Sequence, residues 1–195
     1  MKYSKEWFSE QEIEELWQTP GISSRDLLLM RTCYFGAFRV SEVLNSKRED
    51  YRHEDDYTSL LLRDQKTDKK NWESQPIPPH IYGEIDRFCD DKKIKSQDFV
   101  FQSNRSPQLS YPMAYKIVKK NVKLAGIKKP ITTHSFRRSR ATHLLNNGMA
   151  LEDVSGMLRH GDLETTMKYL KISKKALFDK MKRIDKKILY KKIKM

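Results

Sequence analysis

At 195 residues the chain has room for one sizeable domain, and its 37% hydrophobic residues fall in regular clusters rather than being diluted among the 33% charged ones, which excludes a disordered chain. The 39 Lys and Arg against 26 Asp and Glu give a formal net charge of +13, an excess that favours a polyanionic partner, most often nucleic acid. No run approaches the roughly 18 apolar residues of a membrane span, the N-terminus has no signal-peptide core, and Cys33 and Cys89 lack the paired spacing of a zinc site or disulfide framework; core thiols and a cytoplasmic or nucleoid location are expected.

In chain order, "SEQEIEELWQ" carries a capping-box pattern from Ser9 to Glu12, with Ile13, Leu16 and Trp17 on one face, and predicts a short surface helix. After "TPG", Ser23 or Ser24 caps a largely buried helix over 23–35. Gly36 interrupts, and "FRVSEVL" resumes helical spacing. Residues 57–80 change character: an apolar run, a polar lysine-rich turn and a stretch ended by nearby prolines predict a β-hairpin on an otherwise helical domain. "IYGEIDRFCDD" returns to helix, "DFVF" at 98–101 reads as a short extended piece, and Ser110 with Pro112 opens a helix running to Gly126, a C′ glycine. Thr133 is read as the N-cap of the next helix, which ends near 146–148; then come "LEDVSGML", a break at "RHGD", a helix from Leu163 to about Leu170 capped by Asp162, and a basic tail with Leu177, Met181, Ile184 and Ile188 at helical spacing. The fold class is therefore mainly α with a small antiparallel β-hairpin or sheet.

The stretch "THSFRRSRATHLLNN" is the first functional signal. His134 and Arg137 fall three residues apart on one face of a helix's opening turns, beside unpaired backbone N–H groups that favour anions. That is the layout of a phosphate site, although basic residues on a helix also serve as plain solvated decoration. Arg39, Lys66, His160 and Tyr169, each taken singly, have equally ordinary readings as surface, loop or half-buried residues.

Together they resemble a known family. "GAFRVSEVL" is similar to the first motif of the tyrosine recombinases (phage integrases and Xer-type resolvases), an arginine followed three residues later by an acid. A lysine on a hairpin turn, His-x-x-Arg at 134–137, a histidine before a short helix and a tyrosine nine residues after it complete the family's order, and "ATHLLNNGMALEDVSGMLRHGDLETTMKYLKI" resembles the family throughout. The resemblance runs from about residue 9 to residue 173 and implies a tyrosine recombinase catalytic domain over 1–173. The basic amphipathic tail, 174–195, corresponds to a C-terminal helix that docks into a neighbouring protomer in relatives; packing on its own domain fits the stripe equally well. The N-terminal core-binding domain usual in the family is expected to be absent from this chain.

The resemblance also implies a chemistry, which these residue types suit. Arg39 and Arg137 would clamp the nonbridging oxygens of a DNA phosphodiester through planar guanidinium forks, with His160 as a third donor. Tyr169 would be the nucleophile, His134 its base and Lys66 the acid for the leaving 5′ oxygen, giving a 3′-phosphotyrosine with neither metal, ATP nor other cofactor. Glu42 would fix Arg39. Lys69, Lys70, Arg138 and Arg159 are expected DNA contacts; Arg138 stands where many relatives have histidine, and Arg159 where glycine is usual. The expected partner is double-stranded DNA, with self-association on it through the C-terminal helix. A type IB topoisomerase would use the same chemistry without joining two duplexes, and a non-catalytic DNA-binding relative would lack part of the residue set, whereas none is missing here.

Overall fold

In a computed structural model, the described residues are 6–63, 72–159 and Lys182. The expected helix over 163–170, the tail stripe, and Lys66, Lys69, Lys70, His160 and Tyr169 lie outside them. The chain falls into two compact units, residues 1–139 and 140–195.

The first unit begins with α1 (Glu10–Gln18), closed by the predicted capping box: the Ser9 hydroxyl accepts from the Glu12 N–H and the Glu12 carboxylate accepts from the Ser9 N–H. Ile13 and Leu16 are its buried face. Next, α2 (Ser24–Phe35) starts at a Ser23 cap and buries residues all round, as a central helix should. It stops in a Schellman motif: the Ala37 N–H bonds to the Tyr34 carbonyl and the Phe38 N–H to the Cys33 carbonyl. This turn folds tightly enough that a Cβ on Gly36 would lie 1.9 Å from the Phe38 ring, which explains the glycine. The following residue, Ala37, takes the left-handed conformation at φ +49° although it is not glycine. Then comes α3 (Val40–Leu44), with Arg39 at its N-cap.

A three-stranded antiparallel sheet follows, in the order β1 (Tyr51–His53), β2 (Thr58–Arg63), β3 (Trp72–Ile77). The hairpin expected over 57–80 is β2 and β3, paired from Thr58↔Ile77 to Arg63↔Trp72. Pro76 is accommodated because β3 is an edge strand. Helix α4 (Pro79–Asp91) and α5 (Tyr111–Leu124, capped by Ser110) complete the layer around α2. The expected extended piece at 98–101 amounts to a single bridge, Lys47↔Phe99.

The core of this unit joins Phe8, Leu16, Leu29, Met30, Phe38, Leu60, Ile81, Ile85, Phe101 and Phe136. Both cysteines are buried thiols, and burial pushes the Cys89 thiol up to about 11 and Cys33 higher still. In the second unit, Gly148 ends α6 (Thr133–Asn146) with a further Schellman pair, and α7 (Leu151–Leu158) buries Val154 and Leu158. Helix α7 ends at Arg159, held at φ +48°. That left-handed backbone is the physical reason a glycine suits this position. No described helix is long and apolar enough to cross a membrane.

Candidate phosphate-binding site

The opening turns of α6 are unusual for a helix that enters a core. Their inward positions are mostly polar: Thr133, Ser135, Arg137 and Ser139 are all buried, and only Phe136 among them is apolar. Each polar group is accounted for differently. The Ser139 hydroxyl donates to the Ser135 carbonyl at 2.6 Å and accepts from the Phe8 N–H at 2.8 Å, so that the N-terminal segment is tied to the helix. Phe136 stacks between Phe8, with ring centroids 4.9 Å apart, and Trp17, 6.2 Å away. These contacts fix the roll of α6 and thereby decide which way His134 and Arg137 face.

The helix begins one residue earlier than a Thr133 cap would require. Thr133 is its first helical residue, and the capping bond falls on Thr132, whose N–H donates to the Ser135 hydroxyl at 3.1 Å. His134 and Arg137 therefore remain in the opening turns.

Arg137 is 7% exposed, and its Nη1 donates at 2.8 Å to the carbonyl of Ala37, 100 positions away in sequence. This bond brings α6 against the turn between α2 and α3, the turn that presents Arg39. Glu42 closes the other side: its Oε2 accepts from the Arg39 N–H at 2.7 Å and its Oε1 from the Arg39 Nη1 at 2.9 Å. An ion pair this exposed adds little stability, since the Arg39 side chain is 43% exposed. What it supplies is direction, because backbone and side chain of Arg39 are held by one carboxylate. Glu42 thus holds both the backbone and the side chain of Arg39.

His134 reports on the whole cluster. It is exposed, yet enough chain surrounds the ring that desolvation, followed by the positive charges of Arg137, Arg39 and Arg138, lowers its pKa below the ordinary histidine value. Arginines from opposite halves of this unit thus both act on the charge of one imidazole. The shift favours the uncharged imidazole, the form able to accept a proton. Next to it, the Tyr111 hydroxyl of α5 lies 3.4 Å from the Thr133 hydroxyl.

Three further contacts of this unit carry no local sequence signal. One is the Ala37 carbonyl, in the helix-ending "GAF". Another is Gln75 of β3, which donates from Nε2 to the Gly36 carbonyl at 2.7 Å. The third is Arg63, at the end of β2, whose Nε donates to the buried Asp50 carboxylate at 2.8 Å while Nη2 reaches Glu49 at 2.7 Å and the guanidinium sits 5.3 Å over the Trp72 ring. Arg63 and Trp72 are the last described pair of the hairpin. Among the described residues no three His, Cys, Asp or Glu gather where they could hold a metal ion.

The profile of the phage integrase family matches residues 6–176. The chain belongs to that family. A tyrosine recombinase of Pseudothermotoga lettingae is 28% identical over 89% of this chain and 58% of its own length. A tyrosine recombinase XerA of Pyrococcus horikoshii is 33% identical over 78% of this chain and 52% of its own. The chain thus spans a little over half the length of the curated relatives it matches. Among solved structures, XerA recombinase superposes with a TM-score of 0.79 at 22% identity, covering 94% of this chain and 65% of that one. The catalytic domain of bacteriophage HP1 integrase gives 0.61 at 23%, covering 84% and 85%. The mainly helical fold with a small antiparallel sheet is that of the family's catalytic domains.

Proposed function

We propose that this member of the phage integrase family is a site-specific DNA recombinase that cuts and rejoins strands through a 3′-phosphotyrosine. The observation that carries the reading is the bond from Arg137 to the Ala37 carbonyl, 100 positions away, which sets α6 against the turn presenting Arg39, beside a His134 whose pKa both arginines lower. A phosphodiester resists attack because its oxygens are negative, and two guanidinium forks beside an uncharged base answer that difficulty directly. Tyr169 is the nucleophile: its oxygen bonds to phosphorus as its proton passes to His134, and the 5′ oxygen departs with a proton from Lys66. His160 donates a further hydrogen bond to the pentacoordinate state. The phosphodiester energy stays in the tyrosyl link, so a second 5′ hydroxyl reverses the attack without ATP or a metal ion.

In the same proposal, residues 1–173 form the catalytic domain and 174–195 a basic helix through which protomers associate on double-stranded DNA, in the compartment that holds that DNA. Lys69, Lys70, Arg138 and Arg159 contact the backbone. Support for a duplex partner comes from a relative: the structure of XerH site-specific recombinase was solved bound to its difH substrate, and superposes with a TM-score of 0.73 at 21% identity.

The test uses a nicked duplex that traps the covalent intermediate, in EDTA and without nucleotide. The wild-type chain is expected to form an adduct that Tyr169→Phe abolishes while DNA binding survives. Tyr111→Phe, removing the hydroxyl nearest the start of α6, is expected to keep it. An adduct persisting in Tyr169→Phe refutes the nucleophile and directs the search to Tyr111, Tyr115 or Tyr190. Adduct formation with no strand joining between two duplexes would instead indicate a topoisomerase.

A further inference from the structure

We propose that Gln75 is a positioning residue for Arg39, acting through the turn that ends α2. The proposal rests on reading Arg39 and Arg137 as the phosphate clamp. Gln75 lies on β3, 4% exposed, opposite Leu60 and two residues from the buried Ile77. An apolar side chain would suit this place better, because the amide is desolvated and its Oε1 has no hydrogen-bond partner among the described residues. Offsetting that cost is the 2.7 Å bond from Nε2 to the Gly36 carbonyl. The assignment of nitrogen and oxygen follows from the partner, since a carbonyl can only accept.

That carbonyl sits where α2 has stopped supplying N–H partners. The next carbonyl, of Ala37, is taken by Arg137. Two successive peptide planes are thus held from two directions, one by the sheet and one by α6. With the Schellman bonds at Ala37 and Phe38 the turn has little freedom left, and Arg39 follows it directly into the N-cap of α3. Glu42 aims the Arg39 side chain relative to α3, whereas Gln75 and Arg137 aim α3's first residue relative to the rest of the site. Losing one of the two backbone ties lets the turn shift by a fraction of an ångström to an ångström, and a displacement of that size costs up to about 100-fold in rate when a reacting group rides on it.

The experiment measures single-turnover adduct formation by the full chain on the nicked duplex, at protein concentrations that saturate the DNA. Gln75→Leu is expected to react about 10- to 100-fold more slowly with DNA affinity within about twofold of wild type. In an Arg39→Lys background the same change is expected to cost less than about threefold, because a residue that acts only through the Arg39 guanidinium has little left to lose. A general weakening of the fold would multiply through both backgrounds equally. Gln75→Met, unbranched and of similar length, replaces Leu if that variant does not fold. The proposal is overturned if the folded variant reacts within threefold of wild type, or if its loss is undiminished beside Arg39→Lys. Absence of any adduct from the wild-type chain would overturn the functional reading instead, so the two failures are distinct.

Discussion

On the proposed reading Arg137 has two jobs, a tie to the Ala37 carbonyl and a fork for phosphate, which a single substitution can separate. Its guanidinium carries five N–H donors, and Nη1 is committed to the Ala37 carbonyl at 2.8 Å. Lysine at this position keeps the charge but concentrates it on one ammonium, which can serve the carbonyl or a phosphate oxygen and cannot present a planar fork to the latter. If the fork stabilises the transition state, Arg137→Lys removes one preorganised donor, for which about 2.7–4 kcal/mol, or about 100- to 1,000-fold in rate, is the usual scale. If the residue merely ties α6 to the turn, weakening its charged hydrogen bond to the Ala37 carbonyl costs about 1.5–3 kcal/mol of stability. On a chain of this size that lowers Tm by about 3–12 °C. Single-turnover adduct formation on the nicked duplex, well below the variant's Tm, reads the first quantity, and a thermal melt reads the second. The expected outcome is a rate loss of at least 100-fold with DNA affinity changed far less. A folded Arg137→Lys that reacts within threefold of wild type would refute a role for the guanidinium fork in the reaction.

Three other outcomes are expected. His134 has a lowered pKa, so as pH falls through the ordinary histidine range the unfolded chain takes up a proton before the folded one does; the stability this group contributes is full above that range and is lost below it. Wild-type Tm should therefore drop between pH 7.5 and 5.5, and His134→Gln should flatten the drop; an equal drop in the variant would contradict it. Arg63→Met leaves the 1% exposed Asp50 carboxylate without its cation, though still accepting from the Lys47 N–H, and, with Arg63 one-third exposed, should cost about 2–4 kcal/mol, a fall in Tm of about 4–16 °C that Asp50→Asn recovers by half or more. Lys93, exposed and held at φ +56° in the Schellman turn that ends α4, should gain about 0.5–1 kcal/mol on replacement by glycine, visible as a rise in Tm of about 1–4 °C.

Much of the fold was legible because the signals were local. The Ser9–Glu12 capping box, the Ser23 and Ser110 caps and the hairpin are all written in a few adjacent residues, and each appears where the pattern put it. Strand β1 escaped because Tyr51–His53 is too short to show alternation and has only one buried residue. At 98–101, "DFVF" had strand composition, but only Phe99 finds a bridge partner. The site divided along the same line. His134 and Arg137 were visible from spacing, and Glu42 from its place three residues after Arg39. Gln75, Arg63 and the Ala37 carbonyl were not, because their partners lie 39, 13 and 100 positions away, and one of them is not a side chain at all.

That last point bears on how such a site can change over evolutionary time. A guanidinium braced by another side chain can be orphaned by one codon change in its neighbour. The Arg137 bond to residue 37 is to main chain, which every amino acid carries, so position 37 can drift among residues that tolerate a left-handed backbone without ever deleting that acceptor. This anchorage of Arg137 is in that sense written into the polymer rather than into its alphabet.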